Sequence, residues 1–153
     1  MEIQKLQQIL QKSGVVGAGG AGFPSYAKLD KRAEIVLLNC AECEPLLKLH
    51  RQLMEQRAEE ILRTFDMVAG CLEAKAAVIG IKKEYKAAIK AIHRYIDFYP
   101  EMSVKLLDGA YPMGDEVVLI YEATGRVVRP GGLPIEEGVV VFNVETVYNI
   151  EDH

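Results

Sequence analysis

Residues 34–39 read Glu-Ile-Val-Leu-Leu-Asn, four consecutive aliphatic side chains between a charged entry and a polar exit. A run without polar alternation belongs to a strand covered on both faces, which is the situation of a parallel sheet flanked by helices. Outward from it, Lys48 to Leu72 repeats Leu49, Leu53, Ala58, Ile61, Leu62, Phe65, Val68 and Leu72 at helical spacing, opposite Glu55, Glu59 and Arg63. That stripe reads as core, not as a ligand face. Ala76 to Ile81 predicts a second strand, Glu84 to Asp97 a second amphipathic helix and Met102 to Leu107 a third strand. Val117 to Tyr121 fits strand or helix by periodicity, and Asp115 ahead of it is a candidate N-cap that favours helix despite the β-branched Val117 and Val118. Gly138 to Phe142 predicts a fourth strand and Asn143 to Ile150 a closing helix. Strands alternating with helices imply an α/β fold, a layered domain with a mostly parallel four-stranded sheet flanked by helices. Ligands of such sheets sit at the C-terminal ends of the strands, which directs attention to Asn39 and the residues after it.

The 153 residues, half of them apolar, suffice for one compact domain spanning 1–153. The net charge of −4 comes without a basic stripe, which argues against nucleic acid as the main partner. No apolar run has the length of a membrane span and the N-terminus lacks a signal-peptide pattern, so the expectation is a cytoplasmic chain without direct membrane insertion. Three cysteines, an odd number, fit a reducing compartment better than a disulfide framework. Cys40 and Cys43 form a C-x-x-C pair, but Cys71, His50 and His93 are scattered without ligand spacing. The expectation is therefore no metal, with Cys40 and Cys43 as small residues filling a strand end.

Upstream of the first strand, residues 14–24 read Gly-Val-Val-Gly-Ala-Gly-Gly-Ala-Gly-Phe-Pro. Five clustered glycines let the backbone approach a ligand and turn successive N–H groups inward, and Pro24 is pre-set to open a helix whose N-terminus favours negative charge. The natural guest of such a cradle is a phosphate-bearing cofactor. A flexible linker would be rich in Ser, whereas this run carries Val15, Val16, Ala18, Ala21 and Phe23. Gly17, Gly19 and Gly22 also satisfy the dinucleotide pattern G-x-G-x-x-G, but that fingerprint needs a strand before it and a crossover helix after it. Here a helical pattern, Glu2 to Lys12, precedes the loop, and only Ser25 to Lys31 follow it before the next strand.

After the first strand comes Asn39-Cys-Ala-Glu42-Cys-Glu44-Pro45, an amide and two carboxylates suited to ribose hydroxyls or ring N–H groups, or else a solvated turn. A second acidic pair, Asp115 and Glu116, follows Gly114. No Ser/His/Asp or Cys/His constellation stands out, so a cofactor would have to carry any reaction and no catalytic side chain is assigned.

Four segments in this order carry a family resemblance: GVVGAGGAGFPSYAK (14–28), NCAECEP (39–45), YPMGDE (111–116) and FNVETVYNI (142–150). The chain resembles the FMN- and NADH-binding part of the complex I flavoprotein (51 kDa) subunit family, above all the branch formed by the C subunit of the Rnf complex. Relatives associated with cobalamin reduction and with proline reductase share the wording Glu42-Cys-Glu-Pro-Leu-Leu-Lys48. The resemblance covers nearly the whole chain and implies a Rossmann-like layered domain. It further implies an electron-transfer flavoprotein domain that accepts hydride from NADH into bound FMN, within a larger redox assembly with iron-sulfur partners.

By the same resemblance, Gly17, Gly19, Gly20, Ala21 and Gly22 form the flavin loop and Lys28 reaches the phosphate. Asn39, Glu42, Tyr111, Gly114, Asn143 and Thr146 fall where the family touches the flavin. Phe23 would stack on the nucleotide, and Glu44 and Glu116 would hold NADH. Ala18 stands where the complex I branch has arginine, and Phe142 replaces an amide of that branch. The family continues into a β-rich domain and a cysteine-rich cluster region, and no C-x-x-C-x-x-C run occurs up to His153, so iron-sulfur clusters are expected only in regions absent from this chain. Two other readings keep the fold. One is a flavin-dependent reductase serving a corrinoid or other soluble acceptor, and the other is a cofactor-free assembly module.

Overall fold

A computed structural model describes residues 33–40, 48–107 and 116–151. The expected N-terminal helix, the glycine loop with Phe23 and Lys28, the Glu42–Glu44 turn and the segment holding Tyr111, Gly114 and Asp115 lie outside the described residues.

Four strands, β1 (Ile35–Cys40), β2 (Ala76–Lys82), β3 (Met102–Leu107) and β4 (Val139–Asn143), form one sheet in the order β3-β2-β1-β4. Every neighbouring pair is parallel. The expected sheet was mostly parallel, and the observed one is entirely so. The helices are α1 (Lys48–Cys71), α2 (Lys86–His93), α3 (Glu116–Thr124) and α4 (Val144–Glu151).

Side-chain parity divides the sheet into two faces. Val36, Leu38, Ala77, Ile79, Ile81, Val140 and Phe142 join the larger core under α1, α2 and α4. Leu37, Leu107, Val139 and Val141 form the smaller one with Leu119 and Ile120 of α3 and with Val128. The arrangement follows from connection handedness. The crossovers stepping from β1 to β2 to β3 carry α1 and α2 on one face. The crossover returning from β3 past both strands to β4 carries α3 on the other, as a single hand requires.

The α1 stripe is core, as its spacing indicates: Ala58, Ile61, Leu62, Phe65, Val68 and Leu72 are all buried. The helix bends at Arg57, whose φ of −126° and ψ of 27° leave the helical range. Gly80 in β2 lets the α3 face close, since a Cβ there would lie 3.3 Å from Leu107 Cδ1 and 3.4 Å from Leu119 Cδ1.

Several boundaries differ from the sequence reading by one residue or more. The expected helix to Asp97 ends at His93, and the chain tightens into a 3₁₀ turn at Ile96–Phe98. This geometry brings Tyr95, Ile96 and Tyr99 down onto the core. Strand β2 runs one residue further than expected, to Lys82. Asn143, expected to begin the closing helix, is instead the last residue of β4. In contrast, Val117 to Tyr121 lies inside a helix, as the sequence favoured.

Candidate functional site

Strand order reverses between β1 and β4, because β2 and β3 lie to one side of β1 and β4 to the other. In open parallel sheets, the crevice outside the carboxyl ends of the strands at such a reversal is where ligands bind. The register places Asn39 opposite Asn143 at this point, with Gly80 the partner of Asn39 on its other side. By the period of two, Asn39 shares its face with Ile35 and Leu37, and Asn143 shares the same face with Val139 and Val141. Two carboxamides therefore stand side by side on adjacent strand ends.

Asn143 also begins the next element. Its Oδ1 accepts a hydrogen bond from the Thr146 backbone N–H at 2.6 Å, the geometry of an N-cap at the third helical residue. A carboxamide nitrogen cannot accept that bond, so the orientation of the amide is set by the cap. Its Nδ2 then points its donors elsewhere, and among the described residues none takes them up. Asn143 is only 9% exposed, and Thr146 4%. A buried donor with no acceptor among the described residues, at the carboxyl end of a strand, suits a ligand bearing carbonyl or ring-nitrogen acceptors, as an isoalloxazine does.

Buried polarity is concentrated here. Among the described residues the buried polar side chains are Thr64, Lys82, Asn143 and Thr146, and three of these four lie at the C-terminal rim of the sheet. Lys82 is the one that sequence reasoning missed, because in the sequence it reads as the solvated end of an apolar strand. Its only signal there is a cation directly after a fully apolar run, a pattern that many exposed strand ends share.

Of the resemblance-derived positions, the structure brings Asn39, Asn143 and Thr146 to one edge. Glu116 opens α3. Cys40 lies buried in the larger core, in keeping with a space-filling role, and Cys43 lies outside the described residues. Among the described residues no cluster of His, Cys, Asp or Glu is arranged to hold a metal ion. No helix among them is long and apolar enough to cross a membrane.

The opposite edge of the sheet is built for stability. An open cavity of about 480 Å³ there is lined by Glu34, Arg126, Val127, Ile135, Glu136, Glu137 and Gly138. Arg126 Nη1 donates to Glu34 Oε1 at 3.0 Å and to the Glu137 carbonyl at 2.7 Å. The Arg126 hydrogen bond and charge hold the Glu34 carboxyl below its ordinary range, with Lys75 adding a smaller pull at 3.8 Å. Gly138 adopts a left-handed φ of 75° and accepts from the Glu34 and Ile35 N–H groups, tying the start of β1 to the start of β4.

Comparison with known proteins gives the family and the fold. Residues 10–152 match the complex I 51 kDa family described as the Nuo51 FMN-binding domain. The cobalamin reductase PduS of Salmonella typhimurium is 43% identical over 151 residues, covering 98% of this chain and 33% of the relative. The C subunit of the Na⁺-translocating ferredoxin:NAD⁺ oxidoreductase complex of Acetobacterium woodii is 35% identical over 156 residues, covering 99% of this chain and 35% of that relative. The crystal structure of an NAD⁺-reducing [NiFe]-hydrogenase in the H₂-reduced state superposes with a TM-score of 0.78 at 26% identity, over 99% of this chain and 30% of that one. The chain spans about a third of the length of these curated relatives. With the parallel sheet, the reversal point and the four ordered motifs already in place, the chain belongs to the Nuo51 FMN-binding domain family, a group of flavin redox domains.

Proposed function

We propose that this chain binds FMN at the β1/β4 edge and accepts hydride from NADH there, as one part of a larger electron-transfer system. The observation that carries the reading is the Asn39–Asn143 pair at the strand-order reversal, with Asn143 buried and its Oδ1 engaged by the Thr146 N–H. The family match and the likeness to an NAD⁺-reducing hydrogenase support it.

Within this reading Asn39 and Asn143 orient the isoalloxazine by hydrogen bonds to its polar edge, and Thr146 supplies a hydroxyl beside them. The residues 17–22 loop and Lys28 hold the phosphate. Glu44 and Glu116 contact the nicotinamide nucleotide. When bound, FMN supplies the capacity to take two electrons as hydride and to release them singly. No protein acid or base is required for hydride delivery, so the chain's own work is stacking, orientation and electrostatic tuning. Electrons then pass to iron-sulfur partners, the arrangement that likeness to one subunit of a ferredoxin:NAD⁺ oxidoreductase complex suggests.

A second acceptor is favoured by one observation. Identity to the cobalamin reductases, 42% and 43%, exceeds the 35% to the ion-translocating complex of Acetobacterium woodii. A corrinoid reductase system is accordingly the alternative destination for the same electrons. Titration of the flavin-stripped chain with FMN, followed by fluorescence quenching, tests the common core of both readings. Saturable quenching with one FMN per chain supports it, and unquenched FMN at high micromolar protein rejects it.

A further inference from the structure

Helix α2 buries Ala88, Ala91 and Ile92 and turns Lys86, Lys90 and its C-cap residue Arg94 to solvent. Arg94 keeps helical angles, φ −64° and ψ −28°, so it continues the line of the helix. Steps of four residues hold the three cations within about 80° of arc, opposite the buried face, along a line about 12 Å long. The sequence reading found no basic stripe because other residues separate these cations in the chain, and the helix assembles one.

Local helix physics does not account for this line. Like charges four residues apart on a helix repel one another. Lys86 stands in the first turn, where the helix dipole disfavours a cation, and no acidic residue in that turn offsets it. None of the three forms an ion pair among the described residues. Phe98, four residues past Arg94 in the 3₁₀ turn, is 75% exposed, more than any other large apolar side chain described. Placement that costs an element stability is expected where binding demands it.

We propose that the outer face of α2 is the docking surface for an acidic partner protein, with Lys86, Lys90 and Arg94 meeting its carboxylates and Phe98 supplying the apolar contact. Protein interfaces combine complementary charge with Arg and aromatic anchors in this way. A phosphate polymer carries its charge evenly, so it would meet the exposed Glu84 and Asp97 at the two ends of this short line, on a chain of net charge −4. A folded protein sets discrete carboxylates against the cations and leaves those ends alone. None of these residues belongs to the proposed FMN site, so docking and FMN binding are tested independently.

The test is fluorescence anisotropy at low salt with a labelled glutamate peptide carrying leucine at every fourth position. It compares the wild type, Lys86→Gln/Lys90→Gln/Arg94→Gln, Phe98→Ser and a control, Lys75→Gln/Lys105→Gln/Arg129→Gln, that removes the same charge elsewhere. Saturable, salt-sensitive binding is expected for the wild type, weakened about tenfold by loss of the three α2 cations and less by Phe98→Ser. The control should retain most of the affinity. Urea denaturation gives a second reading, because neutralising the line relieves repulsion and should leave the triple α2 variant at least as stable as wild type. A marked loss of stability in that variant would show that the cations serve the fold, and would overturn the inference. So would a wild type that leaves the peptide unbound, or two triple variants that bind it alike. Stronger binding of a single-stranded oligonucleotide or of anionic vesicles, lost with the α2 cations, would overturn the assignment of a protein partner.

Discussion

Asn39 and Asn143 face each other across neighbouring parallel strands, each at the C-terminal end of its strand, where the strand order of the sheet reverses. Their adjacency is a consequence of topology, since 104 positions separate them in the chain (143 − 39). The crossover that carries α3 to the far face returns β4 to the side of β1 and so completes the pair. The same Asn143 caps α4, which couples the rigidity of the helix start to the orientation of a group at the site.

Asn143→Ala removes both roles, and the two can be separated. Loss of the cap should cost about 1 kcal/mol of stability. Asn143→Asp keeps an oxygen for the Thr146 N–H but abolishes the Nδ2 donors. The expected pattern is near-native denaturant stability for Asn143→Asp with FMN affinity weakened at least tenfold. FMN affinity unchanged in both variants would remove Asn143 from the site.

Gly138→Ala should destabilise the fold by more than about 1 kcal/mol, because a side chain at φ 75° is strained. The added Cβ would also stand 2.8 Å from both Arg126 Nη1 and Glu34 Oε1. Those atoms can move aside, but only by parting the ion pair that clamps β1 and β4. Urea denaturation measures the loss, and a midpoint equal to wild type would contradict this expectation.

The Glu34–Arg126 pair predicts a pH dependence of definite sign. Arg126 lowers the Glu34 carboxyl below its ordinary value of 4.5 in the folded chain. The unfolded chain then binds the proton more readily, so the stabilisation is present in full above about pH 4.5 and is lost as pH falls through the lowered folded value. Arg126→Met should therefore be less stable than wild type at pH 7, with a gap that narrows on acidification toward pH 3. The gap should not close completely, because the bond from Arg126 to the Glu137 carbonyl does not titrate. A gap independent of pH would show that Glu34 gains nothing from its partner.

The sheet was legible because β1, β2 and β4 carry continuous apolar runs. Val36 to Leu38 and Val139 to Phe142 are buried, and runs of this kind need two covered faces, which a parallel sheet between helix layers provides. The α1 stripe was legible for the complementary reason, since its spacing admits one buried face. Asn143 falls one element away from its expected place because an N-cap belongs half to what precedes it and half to the helix, and the sequence around it does not say which backbone angles it takes. Lys82 was not legible because burial of a lysine depends on what the topology packs around a strand end. The residues 14–24 loop, Glu42, Glu44, Tyr111 and Gly114 lie outside the described residues, so their roles rest on the family resemblance.

The most direct test of hydride acceptance is anaerobic addition of NADH to the FMN-loaded chain, monitored at the flavin absorption band. Stoichiometric bleaching of that band, recovered on admission of oxygen, is the expected result. Tightly bound FMN whose absorption stays unchanged at millimolar NADH would contradict hydride acceptance by this chain and leave it a flavin carrier reduced by some other donor.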